Sequence, residues 1–388
     1  MACKMNENVS CVKSPDLPRE RAAAASIVLN MSDMSELVLA ADVGGTKTWL
    51  GLFRRNGARP TALETRRVQT LGQSGLGQII TDFLDQTGAT DRIAAACVGV
   101  AGPVRDNASQ LTNVPWLVDG AVLAAQLGLP TVRVLNDLEA TAYAVPWLDG
   151  DELAVIHPGR PMAGGTAAVI APGTGLGEAW LYSVDHRHHA RPSEAGHADF
   201  AARTKRELEL VASLTQAMGR VSVEDVVSGP GLVRLHRFAH GAAPCESGSL
   251  PDDPALQPAA VTAAGLNGGC DACREALDLF VSALGAEAGN LALRVLPTGG
   301  LYVGGGIAPH IVPAIQGSRF LDALSSKGRM RALVEQIPVF IILEPQAALI
   351  GAATQAVQMH LANHASNARP LRGRLSVAGG ASTGTLNP

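Results

Sequence analysis

Residues 41–53 read ADVGGTKTWLGLF, an acid, two glycines and a threonine set between apolar runs. A P-loop needs GxxxxGK followed by Ser or Thr, and this stretch has neither that spacing nor that pair. A dinucleotide fingerprint needs GxGxxG opening a helix, whereas the residues after Thr46 alternate as a strand does. The stretch therefore predicts strand, tight turn, strand, with Asp42 where the turn begins. Gly44 and Gly45 lack a Cβ, so the backbone there is free to take φ > 0 and to approach a ligand. Their amides and the Thr46 hydroxyl suit phosphate oxygens, and Asp42 suits a hydrated Mg²⁺ beside them. An ordinary Gly-Gly hairpin explains the same residues, and this stretch alone does not choose between the two.

Working outward, the pattern recurs. GGTAAVIAPGTGLGEAWLYS (164–183) predicts a second strand, glycine turn and strand around Gly173, Thr174, Gly175 and Gly177. GGLYVGGGIAP (299–309) runs a strand into Gly304, Gly305 and Gly306. One glycine turn is weak evidence, but two in similar α/β halves plus a third suggest phosphates gripped from both sides of a cleft. Between them, GQIITDFLDQTG (77–88), the region 204–240 and DACREALDLFVSALGAEAGNLALRVL (271–296) have helical periodicity. IAAACVGVAGPV (93–104) reads as a buried strand, and TVRVLNDLEATAYAVPWL (131–148) as a strand running into a helix. LTNVPWLVD (111–119), RPSEAGHADFA (191–201) and the Pro/Gly/Ser-rich 241–256 read as loops, and IPVFIILEPQAALIGAATQAV (337–357) as a strand and a closing helix.

The chain has 388 residues, 47% of them hydrophobic, which predicts about two domains with sizeable cores. A net charge of −4 and the lack of a long basic run argue against nucleic acid as a partner. No apolar run reaches the ~18–20 residues of a membrane span. Six scattered cysteines suit a reducing cytoplasm. Only Cys270 and Cys273 form a CxxC. They lack a second ligand pair for zinc and a preceding strand for a redox motif, so helix packing is the expected role. Residues 1–36 read as a disordered extension, or as an over-long start with Met31 or Met34 as the true one; the end of the chain, 363–388, also reads as disordered.

The chemistry is expected at LND (135–137). A carboxylate at a strand's carboxyl end faces the crevice where open α/β sheets bind ligands, and Asp137 suits the acceptance of a hydroxyl proton. An Asn-Asp pair before a helix is equally a plain N-cap, and an isolated pair favours that reading. In SEAGHADF (193–200), Glu194 and His197 lie in one loop without an evident third metal ligand, so hydrogen bonds to a polyol are the expected role. Trp116, beside Pro115, is suited to a wall next to a bound sugar or to a plug at a sheet edge.

With these residues in view, the chain resembles the bacterial glucokinase family of the non-ROK type, within the actin-like, hexokinase-type ATPase superfamily. The resemblance rests on DVGGT (42–46), LND, PGTGLG (172–177), EAGHADF (194–200), VEDVVSGPGL (223–232), CDACREALDLF (270–280), AGNLAL (288–293) and VGGGIAP (303–309), in family order over roughly 37–360. The Cys-rich zinc motif of ROK proteins near the glutamate–histidine loop is missing. Pro172 and Ala195 depart from the family pattern, which has a small residue and a glycine there. The resemblance implies two ribonuclease-H-like α/β domains flanking a cleft, a smaller one of 37–146 plus 345–362 and a larger one of 147–344. It implies ATP-dependent phosphorylation of D-glucose with Mg²⁺ held partly through Asp42, and Asp137 as general base. Asn136, Asp137, Glu194, His197 and Glu224 become the implied sugar ligands. DVGGT and PGTGLG become the phosphate motifs and VGGGIAP the adenosine motif. Other readings are a kinase for mannose, fructose or an N-acetylhexosamine, and a non-catalytic sugar-responsive protein on the same fold. A homodimer is an open expectation.

Overall fold

The computed structural model describes residues 37–56, 59–111, 114–185 and 187–367. The strands are β1 (Leu37–Val43), β2 (Lys47–Asn56), β3 (Arg59–Gln69), β4 (Ile93–Val100), β5 (Ala108–Gln110), β6 (Leu117–Asp119), β7 (Val132–Asn136), β8 (Leu153–His157), β9 (Ala167–Pro172), β10 (Leu176–Val184), β11 (Arg187–Ser193), β12 (Gly300–Val303) and β13 (Val339–Ile342). The helices are α1 (Leu76–Thr87), α2 (Gly120–Leu127), α3 (Asp137–Ala144), α4 (Lys205–Met218), α5 (Val223–Val226), α6 (Gly229–His240), α7 (Gln257–Asn267), α8 (Asp271–Val295), α9 (Val312–Ile315), α10 (Ser318–Ser325), α11 (Arg331–Val334) and α12 (Ala347–Asn367).

Two sheets carry the architecture, and they repeat one plan. The first has the order β3-β2-β1-β4-β7 and the second β11-β10-β9-β12-β13-β8. In each, a central strand (β1 or β9) pairs antiparallel with a hairpin partner on one side and parallel with a crossover strand on the other. The central strands read as continuous apolar runs because both faces are covered: β1 and β9 are buried almost throughout. The outer strands read differently. β3 is largely exposed, and charges on such an edge strand oppose further pairing. β11, RHHARPS, is the polar, part-exposed edge of the second sheet, and only its last three residues fall in the stretch 191–201 that reads as a loop.

α1 buries Leu76, Ile79, Ile80, Phe83 and Leu84, the spacing of one helix face, against the outer side of the first sheet and ends at Gly88 with φ 62°. α8 lies at the centre of the core under the second sheet. It is the one described helix with the length and apolar content of a membrane span, and 72% of its most apolar stretch is buried in the fold, as a core helix is. Between the sheets, α3 and α12 share a third core with residues of β1, β4, β9, β10 and β13. α12 runs to Asn367, past the end at 362 read from the sequence, while the proposed extension 1–36 lies outside the described residues. Trp116 is 8% exposed and packs in the first sheet's core, so it plugs that sheet and is not the wall the sequence also allowed. The stretch around it carries a small hairpin, β5 with β6.

One buried group makes stability depend on pH. Glu178 on β10 is 1% exposed, and neither carboxylate oxygen has a hydrogen-bond partner among the described residues. Arg294 donates to Glu287 at 2.7 Å and stays 3.8 Å from Glu178. Burial first, and then the charge of Glu287, push the Glu178 carboxyl from 4.5 up to about 8. Because the folded value is the higher one, its contribution to stability is complete below the unfolded value and is lost as pH rises toward about 8. Glu178→Gln keeps the group neutral. Melting curves across this range should show the parent losing stability relative to the variant; parallel curves would contradict the assignment.

Candidate active site

The first glycine turn joins β1 to β2. Thr70, at the end of β3, clamps it: the Thr70 hydroxyl donates to Gly44 O at 2.9 Å and accepts from Thr48 Oγ1 at 2.9 Å, and the Thr70 amide donates to Thr46 O at 2.9 Å. Neither Gly44 nor Gly45 adopts a left-handed backbone, contrary to the expectation for this turn. Gly44 is needed for proximity instead, since a Cβ there would stand 3.1 Å from Lys47 O.

The second turn joins β9 to β10. Gly173 N donates to Gly175 O at 2.8 Å, and Gly173 O accepts from Gly229 N at 2.8 Å. A Cβ on Gly175 would sit 2.4 Å from Glu224 Oε2, so only glycine leaves room for that carboxylate. Glu224 Oε2 accepts from Leu176 N at 2.7 Å, while its Oε1 lies 3.9 Å from His197 Nδ1. Glu224 thus joins the second turn to the glutamate–histidine loop, which the sequence spacing did not indicate. In the third turn Gly305 has φ 79°, and its Cβ would meet Pro172 O at 2.4 Å. Pro172 therefore serves as the floor on which the third turn rests.

The three turns meet over one cavity of about 810 Å³. Gly45, Thr46, Gly173, Thr174 and Gly306 line it. Asp42, Gly44, Gly175, Gly177, Gly304 and Gly305 are not in its lining. Gly177 makes room for Leu138 of α3, where a Cβ would come within 2.5 Å, and Gly304 N donates to Ile170 O at 2.8 Å. The start of α6 also faces the cavity, but its first amides are spent: Gly229 N on Gly173 O, Gly231 N on the Ser228 hydroxyl at 3.0 Å, and Leu232 N on Ser228 O at 2.8 Å. α6 therefore anchors the second turn, and the exposed hydroxyls of Thr46 and Thr174 are left facing the cavity. Sequence reading missed Arg234 and Arg237, one helical turn apart on α6, and Pro254 and Ala255 at the end of the 241–256 insertion, all of which line the cavity. A neighbouring apolar recess of about 460 Å³ continues past Ala255, Pro258, Gly306 and Ile307 toward Leu266 and His310.

Asn136 and Asp137 occupy the β7–α3 junction. Asn136 is the N-cap: its Oδ1 accepts from Leu138 N at 3.0 Å and Glu139 N at 3.2 Å, and its Nδ2 donates to Gly102 O at 3.1 Å. The structural reading of the pair thus holds for Asn136. Asp137 follows as the first helical residue, with Oδ1 accepting from Leu138 N at 2.9 Å. Burial, then the nearby Glu194, push the Asp137 carboxyl up to about 6 despite the amides that favour its charged form. Asp42 is raised to about 7 by burial and by the charge of Asp137, and has no ion-pair partner among the described residues. The charge of Asp137 thus disfavours that of Asp42, a setting that a divalent cation fits. Glu194 and His197 flank a short helical turn, both exposed, with His197 N donating to Glu194 O at 3.0 Å.

Two sheets that share a five-strand plan, the second extended by β8, with glycine turns meeting between them, define an α/β fold of the actin-like ATPase type. A family model described as Glucokinase matches residues 39–359. A glucokinase from Trichormus variabilis is 38% identical over 340 residues, covering 83% of this chain and 99% of that protein. One from a Synechocystis species is 36% identical over 355 residues, covering 84% and 100%. The crystal structure of a glucokinase from an Antarctic psychrotroph aligns with a TM-score of 0.74 at 30% identity over 83% of this chain and 99% of that one. A ROK family glucokinase from Streptomyces griseus, in complex with glucose and AMPPNP, aligns at 0.56 and 23% identity over 83% and 99%, a likeness of fold. The chain belongs to the glucokinase family.

Proposed function

We propose that this chain transfers the γ-phosphoryl group of ATP to the 6-hydroxyl of D-glucose, releasing ADP and glucose 6-phosphate. The observation that carries the reading is the meeting of Gly45, Thr46, Gly173, Thr174 and Gly306 over one cavity lined also by Arg234 and Arg237. Hydroxyls, turn amides and guanidinium groups there match the oxygens of a polyphosphate, and the apolar recess beside them matches a nucleoside. Asp137 accepts the 6-hydroxyl proton as that oxygen bonds to the γ-phosphorus and the bond to the β-phosphate oxygen breaks. Asn136, Glu194, His197 and Glu224 hold the sugar hydroxyls. Mg²⁺, held through water by Asp42, would offset charge on the phosphoryl oxygens. The first sheet with α12 acts as the smaller domain and the rest as the larger. Without a Cys-rich motif beside the glutamate–histidine loop, the chain fits the non-ROK branch. Its expected setting is the cytoplasm, and sedimentation of the full chain tests whether it is a homodimer.

The test is formation of glucose 6-phosphate, read as NADPH through a coupled dehydrogenase, with a panel of hexoses and phosphoryl donors. Glucose with ATP should give the highest kcat/KM; a preference for another hexose would replace the substrate assignment. Sugar binding has its own test. Leaving a hydroxyl partner unpaired costs roughly 1–3 kcal/mol, so Glu194→Ala should raise the KM for glucose about tenfold or more while the KM for ATP stays near that of the parent. A change confined to the KM for ATP would place Glu194 elsewhere.

A further inference from the structure

We infer that the chain binds one zinc ion through Cys245, Cys270, Cys273 and His240, away from the cleft. The sequence offered a single CxxC; folding brings two more ligands to it from the end of α6 and the loop that follows. Cys270 caps α8 and Cys273 lies in its first turn. His240 ends α6, and Cys245 follows in the 241–256 insertion. The sulfurs of Cys245 and Cys273 are 3.5 Å apart, and His240 Nε2 is 3.3 Å from Cys270 Sγ and 4.0 Å from Cys273 Sγ. A tetrahedral zinc with ordinary bond lengths sets its ligand sulfurs about 3.8 Å apart and a sulfur and a nitrogen about 3.6 Å apart. The two sulfur–nitrogen separations bracket that edge, and the sulfur–sulfur separation falls about 0.3 Å short of its own.

The imidazole is already set for the task. His240 Nδ1 lies 2.9 Å from the carbonyl oxygen of His236. A carbonyl only accepts, so Nδ1 carries the proton and Nε2 turns its lone pair toward the thiols. A histidine that ligates zinc ordinarily has its other nitrogen fixed in this way. The His236 ring lies against that of His240, tilted by 34° with centroids 4.0 Å apart, and neither of its nitrogens has a hydrogen-bond partner among the described residues. One ligand atom each of His236, His240, Cys245 and Cys273 lies within 4.8 Å of the others. We assign Cys270 as the fourth ligand because a third thiolate offsets zinc's charge, and because its sulfur lies nearer to His240 Nε2 than that of Cys273 does. Binding releases three thiol protons and leaves a net charge of −1 on the centre.

The site is roughly 17 Å, the length of α6, from the second glycine turn. It ties the start of the insertion to two helices, and the far end of that insertion supplies Pro254 and Ala255 to the cavity wall. Zinc here is a staple, not a reactant.

Elemental analysis of the purified full chain, kept reduced, should find about one zinc per chain. Cobalt(II) put in its place should give thiolate charge-transfer bands and the d–d bands of a tetrahedral centre. Cys245→Ser and Cys270→Ser should each abolish stoichiometric binding while circular dichroism stays that of the parent, and His236→Phe should retain it. A chelator should lower the parent's melting temperature, and zinc but not magnesium should restore it. The inference is overturned if the reduced chain takes up neither zinc nor cobalt while its thiols titrate as free. It is equally overturned if Cys245 and Cys273 are found as a disulfide under those conditions, or if zinc survives Cys270→Ser but not His236→Phe.

Discussion

Replacing Asp137 with Asn is expected to lower kcat by ~10²–10⁴, the usual span for loss of a general base. The substitution is close to a pure test of proton acceptance. Asp137 Oδ1 accepts the Leu138 amide at 2.9 Å, and an Asn oxygen can do the same. The cap of α3 is provided by Asn136, which the variant leaves in place. Helix start, side-chain volume and the ability to bond a sugar hydroxyl all survive; the affinity for a proton and the negative charge that goes with it are removed. Calorimetric titration should therefore find glucose bound within several-fold of the parent affinity, with circular dichroism unchanged. Near-parent turnover in the folded variant would remove Asp137 from the proposed role.

The second large effect is on stability. At Gly351, α12 crosses α3 so closely that a Cβ would stand 1.7 Å from the Ala140 carbonyl oxygen and 3.0 Å from the Ala144 amide nitrogen. Both obstacles are backbone, so no side chain can rotate away. Overpacking usually costs 1–3 kcal/mol when neighbours can yield; here the helices must separate, and with them the core shared by the two sheets. Gly351→Ala is expected to cost about 3 kcal/mol, a large share of the ~5–15 kcal/mol that holds a domain folded. Urea denaturation measures it directly. Gly306→Ala is the control, since its Cβ would meet nothing within 4 Å. Equal midpoints for the two variants would refute the crossing argument.

Much of the framework was legible because strands buried on both faces leave an unmistakable record. LVLAADV is apolar but for Asp42, AAVIAP is apolar throughout, both run into glycine turns, and their partners follow directly in the chain. β11 left no such record. A polar edge strand has little apolar face to reveal it, and the end of RHHARPS, 191–193, reads as part of a loop. The glycines were recognised, but their individual duties were not. Gly175, Gly177 and Gly305 each make room for a distant atom, Glu224, Leu138 or Pro172, that only folding brings near. The zinc ligands were hidden for the same reason: His240 and Cys245 lie about 25–33 positions before the CxxC, and α7 must fold back between them. Arg234 and Arg237 carry no local signature at all. They are ordinary solvated helix residues until α6 lies alongside the cavity.

Glu224 spans two parts of the site. One of its oxygens holds the Leu176 amide of the second glycine turn, and the other looks toward His197. On the proposed roles, a hexose that draws this carboxylate toward its own hydroxyls also pulls on the turn that grips the donor. A single water molecule, which lacks the several hydroxyls of a hexose, has no such purchase. The protein would then tell its acceptor from solvent by mechanical leverage, bringing the donor's phosphate into reactive alignment when a sugar is in place and leaving ATP idle when it is not.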